Sequence, residues 1–195
     1  PQAVAELLAE LLAERQRWLL GGHAHPIEDY TLLADGRTAA LLSDRGSIDW
    51  MCAPDPDSPA LFAALLGDNT SGFFSVSSLD GQPPLSTAYV PGTMMARTRW
   101  AGVSVTDYLE GGPHLPESPT CSVRLVRVIT GRTPVRVVFA PRPQFSAVPV
   151  SLRAEPDGIV VQGASDGICL RAPGVDWTIT DEFGGQVATA VVDAS

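Results

Sequence analysis

Turn signals recur roughly every 8–12 residues along most of this chain, and that spacing limits the fold more than any other feature. The punctuation comes from 18 glycines and 17 prolines among 195 residues. Helix-rich folds do not carry so many breakers, whereas turn-rich antiparallel folds do. Between the breakers lie short β-like runs: 38–43, 47–52, 73–77, 93–100, 103–109, 122–130, 134–140, 150–154, 158–162, 168–171, 177–180 and 186–192. Asp44-Arg45-Gly46, Ala101-Gly102, Gly131-Arg132-Thr133 and Gly184-Gly185 read as hairpin turns joining successive runs. Apolar residues lie on both faces of 122–130, so this strand is expected to be covered on both sides, with Arg124 and Arg127 emerging at its ends or edges. Ser58-Pro59 followed by Gly67 predicts a short helix near 59–66, with Ser as N-cap and Pro at the first helical position. The expected fold class is all-β: an antiparallel β-sandwich over residues 24–195.

Residues 1–22 read differently. Val4, Leu7, Leu8, Leu11, Leu12, Trp18 and Leu19 fall within a stripe roughly 140° wide on a helical projection. Gly21-Gly22 closes that amphipathic helix. Arg15 interrupts the stripe, so its cover is partly wet or carries an acid. Leu7, Leu8, Leu11, Leu12, Trp18 and Leu19 are the candidate contacts for that cover, which is either this domain or another chain, including a second copy. Pro1 cannot be a translational start, and the chain stops near where a last strand and linker are expected, so it reads as a fragment of a longer protein.

The formal charge of −9 argues against phosphate backbones and anionic lipid. All 13 basic residues are arginine, and they are scattered, from Arg15 and Arg45 through Arg97, Arg124 and Arg142 to Arg171. Neither nucleic acid nor a membrane is expected as a partner. No apolar run approaches a membrane span. Cys52, Cys121 and Cys169 are widely spaced, with no CxxC pair and no Cys/His cluster. No zinc site, no metal and no cofactor follows from them, and reduced thiols fit a cytoplasmic protein.

Hydrolysis of a glycosidic bond needs two carboxyl groups facing each other across a sugar. Asp44, Asp49, Asp55, Asp57, Asp107 and Glu110 are present, but their spacing pairs no two of them. His23, His25 and His114 sit in loop-like sequence without a third ligand. No nucleophile elbow, dinucleotide fingerprint or P-loop occurs. Trp50, Trp100 and Trp177, with Tyr30, Tyr89 and Tyr108, read first as core and second as a stacking face for a sugar. No catalytic residue is nominated.

Residues 26–67 read PIEDYTLLADGRTAALLSDRGSIDWMCAPDPDSPALFAALLG. This run resembles the start of bacterial and archaeal members of glycoside hydrolase family 15, the glucoamylase and trehalase group. The resemblance rests on Pro26 to Tyr30, Arg37 to Leu41, Gly46 to Trp50, Cys52, Asp57-Ser58-Pro59 and Phe62 to Gly67. Weaker echoes follow at Tyr89 to Thr93, Arg97-Thr98, Val105 to Tyr108, Leu125 to Arg127 and Phe139 to Pro143. The resemblance implies a large N-terminal β-sandwich, or supersandwich, joined in the whole enzyme to an (α/α)6 barrel that holds the two catalytic glutamates of an inverting α-glucosidase. That barrel has no counterpart in these residues.

Where the family pattern has Arg and an aromatic before its Asp-Ser-Pro, this chain has Asp55 and Pro56. The loop 53–58 is held stiff by Pro54, Pro56 and Pro59, and Asp55 and Asp57 give it negative charge. The resemblance makes Arg37, Asp49, Trp50, Asp55, Asp57 and Ser58 the candidates for contact with carbohydrate or with the missing barrel. The expected role is a non-catalytic domain that supports and rims a catalytic barrel acting on an α-glucoside, with this chain inactive by itself. The alternatives are a barrel-less interaction protein that associates through its N-terminal helix, and a carbohydrate-binding module.

Overall fold

The computed structural model describes residues 26–67, 69–111, 123–165 and 167–194. The predicted N-terminal helix, His23, His25, His114 and Cys121 lie outside them. The chain forms fifteen strands in this described part. They are β1 (Thr31–Ala34), β2 (Ala39–Leu42), β3 (Ser47–Cys52), β4 (Ala60–Phe62), β5 (Phe73–Ser78), β6 (Ser86–Tyr89), β7 (Ala96–Trp100) and β8 (Val103–Gly111). Then follow β9 (Val123–Gly131), β10 (Val135–Ala140), β11 (Ser151–Glu155), β12 (Gly158–Gln162), β13 (Ile168–Arg171), β14 (Thr178–Glu182) and β15 (Gly185–Val192). Single 3-10 turns occupy Ile27–Asp29, Ala64–Leu66 and Asn69–Ser71.

Three antiparallel sheets share one core, as the all-β sandwich reading expects. The largest runs β1-β2-β3-β5-β10-β15-β14, with β4 added along β3. The second runs β6-β7-β8-β9 and the third β11-β12-β13. Leu33, Leu42, Ile48, Phe74, Val76 and Phe139 of the large sheet meet Trp100, Val105 and Leu109 of the second and Leu152, Ile159 and Val161 of the third. Alternation produces this directly. In β10, Val135, Val137 and Phe139 are buried while Arg136 between them is exposed, so one face enters the core and the other does not.

Two expectations about local structure are corrected. The segment 59–66 is not a helix. Ala60–Phe62 is strand β4, paired with β3 through Met51 opposite Phe62, and only Ala64–Leu66 makes a 3-10 turn. Pairing outweighs helical patterning because the extended backbone seats Phe62, 2% exposed, against Phe74 and Phe139. Ser58 caps nothing. Its Oγ accepts from the Asp55 N–H at 3.2 Å, and its own N–H donates to the Asp55 carbonyl at 3.0 Å, so a tight turn closes where a helix was expected to open.

Strands β9 and β10 do not form a hairpin. β9 pairs with β8 over nine residues in the second sheet, while β10 lies between β5 and β15 in the large one. The connection after Gly131 crosses from one layer to the other. That crossing places Arg127, in mid-strand, between the layers, where its side chain is 4% exposed. It does not emerge at an edge.

Candidate functional site

The registers bring several strand ends to one end of the large sheet: the start of β2, the end of β3, the start of β5, the end of β10 and the β14–β15 corner. Loop 53–58 stands there. Arg37 Nη2 donates to Asp55 Oδ1 at 3.1 Å, and both side chains are about half exposed. Ser58 folds back on Asp55 as described, and Asp57 is exposed. Beneath them Thr38, buried, donates from Oγ1 to the Cys52 carbonyl at 2.8 Å, and Asp35 Oδ1 accepts from the Arg37 and Thr38 N–H groups at 2.8 Å each. Arg37, Asp55 and Ser58 therefore meet in one cluster. The loop's charge is smaller than its two aspartates imply, because Arg37 neutralises Asp55 in place.

Asp49 and Trp50 have other partners. Asp49 sits at an irregularity where β2 and β3 shift register, is buried, and accepts a hydrogen bond from the Tyr30 hydroxyl at 3.1 Å. Burial first, and the Asp49 charge second, push the Tyr30 phenol well above its usual range. Trp50 is half-buried beside Cys52, Ala60 and Ala63, with its ring 6.0 Å from that of Phe145. Burial also raises the Cys52 thiol, which keeps it protonated and unreactive. The aromatic residues do not assemble into one stacking face. Trp100 is buried in the core, and the Tyr89 hydroxyl donates to the Leu32 carbonyl at 2.8 Å.

Asp107, in mid-strand in β8 and fully buried, is engaged by Arg127, whose Nε donates to Oδ1 at 2.8 Å and Nη2 to Oδ2 at 3.3 Å. The described carboxylates that are buried, Asp49 and Asp107, are thus both held by internal donors. Among the described residues, no group of three His, Cys, Asp or Glu side chains is placed to hold a metal. Arg142 is also buried, and it is surrounded by carbonyls rather than acids. Its Nη1 donates to Pro141 and Gln186 at 2.8 and 2.9 Å, and its Nη2 to Glu182 and Phe183 at 3.1 Å each.

Sequence reasoning missed Phe145 and Phe183 at this end of the sheet. Both are exposed apolar residues with positive φ; Phe183 adjoins the Gly184-Gly185 turn, whereas no glycine or asparagine adjoins Phe145. The signals available are the Gly184-Gly185 turn for Phe183 and, indirectly, the Phe-Ala-Pro-Arg-Pro run that precedes Phe145.

A family model described as "Trehalase-like, N-terminal" matches residues 13–195. A trehalase of Mycobacterium tuberculosis is 40% identical over 75 residues, which are 38% of this chain and 11% of that protein. A trehalase of Mycolicibacterium smegmatis is 38% identical over 92 residues, 45% of this chain and 14% of that protein. Trehalase 2 of Sulfolobus acidocaldarius is 25% identical over 159 residues, 80% of this chain and 26% of that protein. The matched part of this chain thus spans 11 to 26% of these relatives' length. No solved structure gives a significant match.

Proposed function

Since this chain belongs to the trehalase-like N-terminal family, we propose that it is the non-catalytic N-terminal domain of a larger α-glucoside hydrolase. The whole enzyme is of trehalase or glucoamylase type, and residues 24–195 form a sandwich that supports its catalytic part and rims the sugar pocket. One observation carries this reading: polar residues in and beside the resembling motifs are engaged inside the domain. Tyr30 reaches Asp49, Arg37 reaches Asp55 and Thr38 reaches Cys52. Arg127 reaches Asp107 and the Gly46 carbonyl, and Arg142 reaches the β14–β15 corner. A catalytic module keeps such groups open to its substrate; a supporting module uses them to fix its own shape. The free thiols Cys52 and Cys169 fit a reducing compartment such as the cytoplasm.

The experiment compares this chain with the whole enzyme that carries it, using trehalose, maltose and dextrin. The expected result is glucose release by the whole enzyme and none by the domain. Glucose release from this chain alone that disappears when one of its carboxylates is changed overturns the reading.

A further inference from the structure

Backbone strain and exposed aromatic surface coincide at one end of the large sheet. Among the described residues, four that are not glycine have positive φ: Gln144 at 54°, Phe145 at 56°, Ser146 at 66° and Phe183 at 51°. Bulky side chains rarely adopt this region, and they keep it only where the surroundings over-determine it. At the β14–β15 corner the two-residue loop Phe183-Gly184, between paired Glu182 and Gly185, calls for positive φ by itself, whereas Gln144 to Ser146 lie in no hairpin, and Arg142 borders both segments. Gln144 to Ser146 form a single left-handed turn. The Ser146 N–H donates to the Arg142 carbonyl at 3.3 Å, and the Ala147 N–H to the Gln144 carbonyl at 3.0 Å. On the other side, the Arg142 guanidinium donates to the Glu182 and Phe183 carbonyls and fixes the β14–β15 corner.

Both turns present aromatic rings to solvent. Phe145 is 52% exposed and leans on Trp50. Phe183 is 38% exposed and stands edge-on to Phe73, with centroids 5.6 Å apart. Between them Ser146 Oγ donates to the Thr70 carbonyl at 3.1 Å, and Gly184 lies against Thr70. Two aromatic anchors joined through Thr70, with charged residues around them in Glu182 and the Arg37–Asp55 pair, match the composition of an interface core and its polar rim. An isolated domain gains nothing from holding the non-hairpin run Gln144 to Ser146 left-handed in order to expose Phe145.

We propose that Phe145 and Phe183 are the anchors of the surface on which the rest of the parent polypeptide docks. This rests on the function proposed above. The occupant follows from the comparisons: the segments matched here are only 11 to 26% of the relatives' length, so such a sandwich is accompanied in the same chain by several times its own mass. A surface built at the cost of strain is assigned to that constant neighbour.

The test replaces both phenylalanines by asparagine, which removes the rings and tolerates positive φ. Phe145→Asn and Phe183→Asn are made together, in this chain and in the whole enzyme. In this chain the expected melting temperature is unchanged or higher. In the whole enzyme, thermal inactivation is expected to quicken roughly tenfold or more, with the domain released earlier by limited proteolysis. A large fall in this chain's own melting temperature overturns the proposal, because the rings are then structural. Three further results also overturn it: a dimer of this chain that the double variant abolishes, retention on immobilised α-glucan that the variant abolishes, and a whole enzyme unaffected by the variant. In the last case the domain's failure to release glucose still stands, so the docking surface falls while the domain's function does not.

Discussion

Arg127 of β9 reaches across the sandwich to the opposite sheet while pairing with Asp107 of its own. Nη1 donates to the Phe74 carbonyl at 2.6 Å, Nη2 to the Gly46 carbonyl at 2.7 Å, and the guanidinium carbon lies 4.9 Å from the centre of the Phe74 ring. Asp107 engages Nε on the strand beside it. This arrangement ties two layers at one depth and in one register. Removing one member of a buried pair leaves the other charge uncompensated. Arg127→Leu is therefore expected to destabilise this chain by about 3–5 kcal/mol in urea unfolding. The double variant Arg127→Leu with Asp107→Leu is expected to recover part of that loss, since no lone carboxylate remains buried. A double variant worse than the single one contradicts the assignment.

The turn receiving Arg127 gives a second expectation. Gly46 has φ +83°, and a Cβ there stands 2.6 Å from the Val76 carbonyl oxygen and 2.8 Å from the Trp100 ring. Neither atom can withdraw without opening the sheet or the core. Gly36 has φ +86° with nothing within 4 Å. Gly36→Ala is expected to cost about 1 kcal/mol for the left-handed backbone alone, and Gly46→Ala clearly more, as backbone strain and collision add. Equal losses in thermal melts of the two variants contradict this account.

Tyr30 makes stability depend on alkaline pH. Its phenol titrates higher when folded than when unfolded, because burial and then the Asp49 charge oppose the phenolate. A group with a raised folded pKa stabilises fully below its unfolded value, here about 10, and that contribution is lost as pH climbs towards the folded value. The chain is expected to lose stability steeply above pH about 10. Tyr30→Phe is expected to cost about 1–2 kcal/mol at neutral pH and to flatten the alkaline loss. Parallel curves of wild type and variant between neutral and alkaline pH rule out Tyr30 as the cause.

Much of the strand pattern was legible because glycine turns and alternation both mark it. Ser47–Cys52, Gly158–Gln162 and Ile168–Arg171 begin and end where the turn residues predict. Strand partners were not legible. The Gly131 turn reads as a hairpin, but it is a crossing between layers, because the burial of Arg127 is decided by residues far away in sequence, Gly46 and Phe74. β4 was hidden because Ala-Leu-Phe-Ala-Ala-Leu-Leu suits a helix locally, and only Met51 across the ladder says otherwise. β6 was hidden because its side chains are almost all exposed and carry no period. At the candidate site, the resemblance named Arg37, Asp55 and Ser58 separately, but their meeting depends on the approach of loop 53–58 to residue 37, which spacing does not encode. The exposure of Phe145 was not legible either, since its left-handed turn is closed by main-chain hydrogen bonds that no side-chain pattern encodes, and the Gly184-Gly185 turn marks the corner at Phe183 without telling that its ring stays exposed.

Loop 53–58 separates a supporting role from a purely internal one. Asp55 stands where the resembling family has arginine, and here Arg37 answers it at 3.1 Å. The pair is half exposed, so its own contribution to stability is at most about 1 kcal/mol. Asp55→Arg sets two guanidinium groups side by side, but both extend into water, and the backbone contacts of residue 55 with Ser58 do not depend on its side chain. The melting temperature of this chain is therefore expected to shift by no more than a few degrees. In the whole enzyme the same change reverses the charge of a stiff loop beside the proposed docking surface. The expected result is an altered KM for trehalose or maltose with kcat less affected, since the loop would bear on substrate entry and not on the reacting bond. If KM, kcat and the thermal stability of the whole enzyme all match the wild type, the loop serves only to close the turn between β3 and β4.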